Sequence, residues 1–365
     1  MKKYEYDYLI VGAGLYGSVM AERLHSSGHK VVVVDKRDHV GGNCASKDMH
    51  GIDVHLYGPH ILHTNNRDVW KYIIQFGEFR QFTHKMLTKY GDNFYTFPIN
   101  AKTLLEVFGK DFTPHVPKVL KSNCNLEEWC INEIGEPLYN MFVKEYTEKQ
   151  WNCKCSELPS SIIKRLPIRS NFNDSYFNNY YQGIPVDGYN TLFNKLLEGV
   201  DVKTGKDFLY FKKEWMEIAE RVIYTGPIDA YFTYEFGRLP WRSLEFKFKE
   251  KQGKDYQGIS VVHYPEKKYK FTRITEFKHF NPFNDAFDND YTIYAEEYPC
   301  HNNDAPYYPI ENEENIACVK KYQELAAKEK NVHFAGRLGT YKYNDMDVTI
   351  ANALNDFSLL LEKWK

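Results

Sequence analysis

The chain has 365 residues and a net charge of −2, too long for one compact core and suited to two or three domains. Lys and Arg are spread along it without a basic patch and no apolar run is long enough to cross a bilayer, so nucleic-acid binding and membrane insertion are both excluded as expectations. Aromatics are abundant, with 29 Tyr and 24 Phe, enough to line a ring-stacking site as well as a core.

Lys2-Lys3 before Leu9-Ile10-Val11 has the look of a secretion signal, but Glu5 and Asp7 interrupt it. A cytoplasmic protein is expected. The seven cysteines are odd in number, form no C-x-x-C and match no zinc framework. All are expected as free thiols, with no metal site.

The first element is an apolar strand from Asp7 to Val11 that enters Gly12-Ala13-Gly14-Leu15-Tyr16-Gly17. A helical pattern follows through Val19, Met20, Ala21 and Leu24, and a second strand, Val31 to Val34, ends on Asp35. This order is a dinucleotide fingerprint. Gly12 suits the tight turn, Gly14 the approach of a pyrophosphate and Gly17 close helix–strand packing, while Asp35 can accept from a ribose. Beyond Asp35 and Lys36 comes the pair Gly41-Gly42, then Asn43. Adjacent glycines offer bare backbone N–H groups to an anion, a second contact that favours FAD over a nicotinamide cofactor.

Next, His60 and His63 flank the apolar pair Ile61-Leu62. They are either satisfied core histidines or groups beside a flavin ring. Residues 100 to 165 look helical. Asn125 can cap a helix through Ile134, Gly135 can stop it and Pro137 can open another. That second helix would align Leu138, Phe142 and Tyr146 on one face. It runs into Thr147 and an exposed Trp151, then a Ser- and Pro-containing loop over 152–161 read as a lid. Lys164, Arg165 and Arg169 follow, with Phe172, Tyr176, Phe177 and Tyr180 close behind: a solvated charge cluster, or cations beside rings that would suit a nucleotide diphosphate.

From about 240 to 300 the period is two. Leu244, Phe246 and Phe248 alternate with charges, and Phe271, Arg273, Thr275 and Phe277 alternate with Thr272, Ile274, Glu276 and Lys278. The pattern predicts strands of a sheet with one solvated face. Arg273 falls on the aromatic face, where a charge needs a partner or a ligand. The C-terminal part returns to an amphipathic helix from Ile316 to Lys328, a strand Val332 to Phe334, a glycine turn with Arg337, and a helix from about 347. The nucleotide domain is therefore expected to be discontinuous.

Ten motifs in one order carry a resemblance over essentially the whole length: GAGLYG, DKRDHVGGN, YGPHILHTN, EYTEKQW, IIKRLPIR, YQGIPVDGY, VIYTGPIDAYF, the strand with Arg273, APYYP and FAGRLGTYKYNDM. The chain resembles the bacterial UDP-galactopyranose mutase family. Small departures are Pro59 and Leu62 around the histidines, Ala335 in place of a frequent second glycine, and Asn344 in place of an aromatic.

The resemblance implies an α/β fold: a discontinuous Rossmann-like FAD-binding domain (1–77, 190–228, 314–365), an inserted helical domain with a mobile loop (99–167), and an antiparallel sheet domain (78–98, 168–189, 229–313). It implies FAD held by Gly12, Gly14, Gly17, Asp35, Lys36, Gly41, Gly42, Asn43, His60 and Arg337. Arg165 and Arg273 would clamp the diphosphate, with His60 and His63 at the flavin and sugar. Tyr146, Thr147 and Trp151 would frame the uracil, Tyr176, Tyr308 and Tyr343 would give hydroxyls to the diphosphate, and Glu297 and Asp345 would lie at the sugar.

The implied reaction interconverts UDP-galactopyranose and UDP-galactofuranose through a covalent N5-flavin–sugar adduct on reduced FAD, supplying galactofuranose for cell-surface polysaccharide. The implied setting is a homodimer served by an external reductant. Alternatives are a mutase for an N-acetylated or deoxy galactose nucleotide, and an amine-oxidase-like flavoprotein.

Overall fold

A computed structural model describes residues 4–110, 117–118, 124–164, 166–283, 285–288, 290–300 and 305–364. Its organising element is a five-stranded parallel sheet in the order Asp201–Lys203, Val31–Val34, Tyr6–Val11, Ala219–Tyr224, Val332–Phe334. Tyr8 faces Val31 on one side and Arg221 on the other. All four valines of the second strand are buried, as continuous apolar runs are when helices cover both faces of a parallel sheet. Ile10 and Val33 point into a core with the helices Leu15–Ser26, Gly188–Leu196 and Met346–Lys363, whereas Leu9, Val11 and Val32 join Phe208, Tyr224 and Tyr231. Each such Val or Ile contributes about 1.5–3 kcal/mol relative to exposure. The sheet is thus assembled from three separated stretches of chain.

A second sheet has seven strands, ordered Tyr308–Pro309, Trp241–Gln252, Tyr291–Cys300, Arg273–Glu276, Val261–His263, Met86–Tyr90, Asn93–Phe97. Its pairings are antiparallel except for Val261–His263 against Met86–Tyr90. The solvated face expected at 271–278 is not there: Ile274, Glu276 and Lys278 are 1, 0 and 3% exposed. Tyr256, Ile259, Tyr269 and Phe271 fold back over Ile274 and cover that face. Glu276 is satisfied by the backbone N–H groups of Tyr256 and Gln257 and the Thr292 hydroxyl, and lies 3.2 Å from His279. Alternation alone does not distinguish a buried polar face from a wet one. A three-stranded sheet pairs Leu62–Thr64 and Phe79–Gln81 with Tyr181–Pro185, placing His63 opposite Gln182.

The helical part begins at Leu126 behind an Asn125–Glu128 capping box and breaks at Gly135, which has φ 79°. A π-helical stretch, Tyr139–Lys144, then leads into the helix Glu145–Trp151. The wider turn rotates the helix after it, so Leu138 and Phe142 stay in the core while Tyr146 leaves the expected stripe and is half-buried.

The 152–161 stretch, read from the sequence as a lid, is docked on the helical core. Cys155, Leu158 and Ser160 are buried, Leu158 O accepts from Leu126 N, and the Cys155 thiol approaches Lys144 O at 3.6 Å. A few small apolar residues suffice to dock a Ser- and Pro-bearing segment. Trp151, expected exposed, is half-buried against the same core. All seven cysteines are free thiols, and among the described residues no helix is long and apolar enough to cross a membrane.

Candidate active site

A cleft of about 1130 Å³ runs from the carboxyl edge of the parallel sheet to the face of the large one. At its first end the two glycine turns pack backbone to backbone. A Cβ on Gly17 would lie 1.9 Å from Gly12 O, and one on Gly42 would lie 2.8 Å from Gly14 Cα, so neither position admits a side chain. The helix Leu15–Ser26 starts here with no acidic residue in its first turn, leaving its positive end to an anion.

Of the paired glycines, Gly41 donates its N–H to Ala13 O at 2.8 Å, while Gly42 provides the close approach to Gly14. Asp35 likewise holds the turns: its carboxylate accepts from Ala13 N at 2.7 Å and Arg37 N at 2.8 Å. A carboxylate has about four acceptor sites, so capacity for a ribose remains. Asn43 accepts from Arg37, whose guanidinium lies 4.3 Å over the Tyr57 ring, and Lys36 stands exposed at the rim. Arg337 donates to Tyr307 O and Asn344 O, both at 3.0 Å, and lies over Tyr343. It braces the wall from which Tyr308 and Tyr343 stack on each other.

The other end is built from side chains. Arg273 Nε donates to Glu297 Oε2 at 2.6 Å across paired strands. Burial opposes the Arg273 charge, yet Glu297 beside it holds the guanidinium ionised; the same burial raises the Glu297 carboxyl against the arginine's pull. His60 bonds Gly58 O through Nδ1 at 2.8 Å, and burial lowers it to about 3. His84 is also lowered to about 3 by burial, then by Arg273 and His63, and its Nδ1 has no hydrogen-bond partner among the described residues. Burial and Arg273 push His263 well below its usual value. His63 stacks on Phe177 at 3.7 Å and bonds Asn179. The Arg273 cation thus stands among three histidines, His60, His84 and His263, that burial keeps neutral.

The structure brings most expected residues to this cleft. Gly12, Gly14, Gly17, Asp35, Lys36, Gly41, Gly42 and Asn43 line it at one end. His60, His63, Tyr176, Arg273, Tyr308, Tyr343, Asp345 and Arg337 line the rest. Glu297 stands behind Arg273, and Tyr146 stacks on His263 at 4.8 Å, with burial raising its hydroxyl pKa. Thr147 is buried, and Trp151 packs into the helical core instead of lining the cleft. Arg165 lies outside the described residues; its neighbours Leu166 and Pro167 line the cleft. His84 and His263 were missed. His263 ends an apolar Val261-Val262 strand, a signal that was readable, whereas His84 sits in no recognisable pattern.

A parallel sheet with a fingerprint turn at its carboxyl edge, opening into a cleft roofed by a second sheet, defines a dinucleotide-binding α/β enzyme. The glycine cradle has room for phosphates and not for side chains, which fits such a cofactor. The UDP-galactopyranose mutase family profile matches residues 141–343, and an NAD(P)-binding Rossmann-like profile matches residues 10–76. A probable UDP-galactopyranose mutase of Klebsiella pneumoniae is 40% identical, covering 95% of this chain and 93% of that protein. A dTDP-fucopyranose mutase of Escherichia coli is 35% identical, covering 98% and 99%. A solved structure of reduced UDP-galactopyranose mutase superposes with TM-score 0.75 at 14% identity, covering 98% of this chain and 94% of that one. The chain belongs to the UDP-galactopyranose mutase family. It is an isomerase of that flavin-using family.

Proposed function

We propose that this enzyme interconverts UDP-galactopyranose and UDP-galactofuranose on reduced FAD, supplying galactofuranose for cell-surface polysaccharide. The carrying observation is the Arg273–Glu297 pair, set beside histidines that burial holds neutral. Opening a pyranose ring for reclosure requires UDP to leave C1 and later return. Its negative charge must be held meanwhile in a site that excludes water. Bound reduced flavin supplies the covalent chemistry at C1, with no net consumption of electrons.

The chain's own residues do the rest. Arg273 neutralises the diphosphate from the sheet side and Arg165 from the other, while the hydroxyls of Tyr176, Tyr308 and Tyr343 donate to it. Tyr146 stacks the uracil against the helical side, with Thr147 and Trp151 packed behind it as support. His60, kept neutral by its burial, and His63 orient the sugar beside the flavin, and Glu297 and Asp345 meet its hydroxyls. Gly14 and the start of the helix Leu15–Ser26 would hold the FAD pyrophosphate, and Asp35 its ribose. We place the reaction in a cytoplasmic homodimer, with an external reductant for the flavin. We keep the division into FAD-binding, helical and sheet domains at the boundaries read from the sequence.

The test is anaerobic incubation of dithionite-reduced and oxidised enzyme with UDP-galactofuranose, followed by chromatography. Reduced enzyme should turn over many times per flavin, oxidised enzyme should be silent, and cyanoborohydride should add one hexose to the flavin. Activity when oxidised, or one reductant spent per product, would overturn the reading in favour of an oxidase. The likeness to dTDP-fucopyranose mutase makes a thymidine-linked deoxy sugar the second substrate to try in the same assay.

A further inference from the structure

Lys149 has an environment that its place in the motif does not explain. Its ammonium lies within hydrogen-bond distance of four backbone carbonyls: Tyr264 O at 2.7 Å, Phe271 O at 2.9 Å, Tyr269 O at 3.1 Å and Glu266 O at 3.2 Å. An ammonium has three N–H donors, so four converging acceptors enclose it as they would a bound cation. The carbonyls belong to the connection between strands Val261–His263 and Arg273–Glu276. Tyr264 follows His263 directly, Phe271 precedes Arg273 by two residues, and His263 and Arg273 are opposite one another in the ladder.

Lys149 is also three residues after Tyr146 on the helix Glu145–Trp151, a spacing that puts both on one side of the helix. One turn of helix therefore places a ring on His263 and an ammonium in the loop joining His263 to Arg273. Two further contacts reinforce the seam: Lys267 N donates to Glu145, and Lys267 Nζ donates to Glu148, both at 2.7 Å. The latter pair is more than half exposed on the lysine side, so it adds little. Lys149 is the strong tie.

We propose that Lys149 is a positioning residue that locks the Tyr146 ring at a fixed separation from Arg273, setting the slot that receives the nucleotide base. It acts through Tyr146 and touches neither substrate nor cofactor. The inference rests on the reading that Tyr146 stacks the uracil, and a double-mutant cycle separates the two.

The measurement is calorimetric titration of the FAD-loaded full chain with UDP, for Lys149→Met, Tyr146→Ala and the double variant, alongside thermal melts. Lys149→Met should weaken UDP about tenfold alone and less than about twofold in the Tyr146→Ala background, because residues acting through one contact are not additive. KM should rise more than kcat falls. Equal weakening in both backgrounds, or none in either, overturns the proposal as a mere folding contact. If Tyr146→Ala by itself leaves UDP affinity unchanged, the base-stacking reading fails and the positioning role falls with it. If Tyr146→Ala weakens UDP while Lys149→Met is additive, only the Lys149 role fails. Should Lys149→Met not fold, Lys149→Ala purified in n-propylammonium chloride replaces the ion. Removing the amine should then cost UDP affinity, and unchanged affinity overturns the proposal.

Discussion

The two ends of the cleft are made of different material. The cofactor end is backbone: glycine turns that meet at Cα distance, a helix start, and a carboxylate occupied with main-chain N–H groups. The nucleotide-sugar end is side chain: Arg273 on Glu297, Tyr146 on His263, His63 on Phe177, each joining residues from separate elements. A backbone-built site tolerates almost no change at a few positions and is indifferent elsewhere. A side-chain-built site spreads its tolerance over many positions and fails in degrees.

The largest effect expected from this contrast is at Gly17. A Cβ there would overlap Gly12 O, so Gly17→Ala should abolish flavin retention, at a cost above about 3 kcal/mol to the local fold. The ratio of flavin to protein absorbance after purification checks this, and retention near wild type would mean that the turn can relax.

Arg273→Ala comes next. It removes the fixed cation and leaves Glu297 buried and unpaired, which costs about 3–5 kcal/mol. Turnover should fall by about 30- to 1000-fold with flavin still bound, since a charge-holding contact is worth about 2–4 kcal/mol. Arg273→Lys should rescue poorly, because a point charge does not reproduce a planar fork. Flavin loss in Arg273→Ala would show that the two ends are not separable.

Tyr146→Ala should weaken UDP by about 1–3 kcal/mol, the usual worth of a stacked base, while the melting temperature barely moves. The reverse pattern would return Tyr146 to the core, with its neighbours Leu138 and Phe142.

The smallest effect belongs to a pair outside the cleft. Glu276 and Asp255 raise the His279 pKa against its burial, and Glu276 is lowered by His279 and Thr292 against its own. Stability from His279 is full below its unfolded value near 6.5 and is lost as pH rises through the raised folded value. Stability from Glu276 is full above its unfolded value near 4.3 and is lost as pH falls through the lowered one. Both contribute fully between about pH 4.3 and 6.5. A His279→Gln variant should flatten the upper side of the melting curve against pH and leave UDP affinity alone.

The same contrast explains what the sequence disclosed. The parallel sheet, the fingerprint turn and the discontinuous return at Val332 were legible because each is a local pattern with a steric cause. Arg273 was legible as a charge on an aromatic face, but its partner Glu297 lies 24 positions on and emerges only from strand register. His84 left no local trace, since burial is a property of the assembled fold. The wet face at 276–278 failed because polar composition was taken for exposure, whereas Glu276 and Lys278 are both buried with partners. Tyr146 left its stripe because sequence spacing assumes an uninterrupted α-helix, and a π turn intervenes.

The order of strands in the parallel sheet has a consequence for synthesis. Tyr6–Val11 lies between Val31–Val34 and Ala219–Tyr224, so one edge of the first apolar strand made has no partner until 213 residues later. At about 5–20 residues per second, a ribosome leaves that edge uncovered for roughly 10 to 40 seconds. During this interval Tyr6–Val11 has only Val31–Val34 beside it, and its other edge is open to pairing with another chain or to capture by a chaperone. Soluble yield should therefore respond to translation speed between residues 34 and 224 more than to speed elsewhere, a kinetic burden that follows from a cofactor site assembled out of distant stretches of chain.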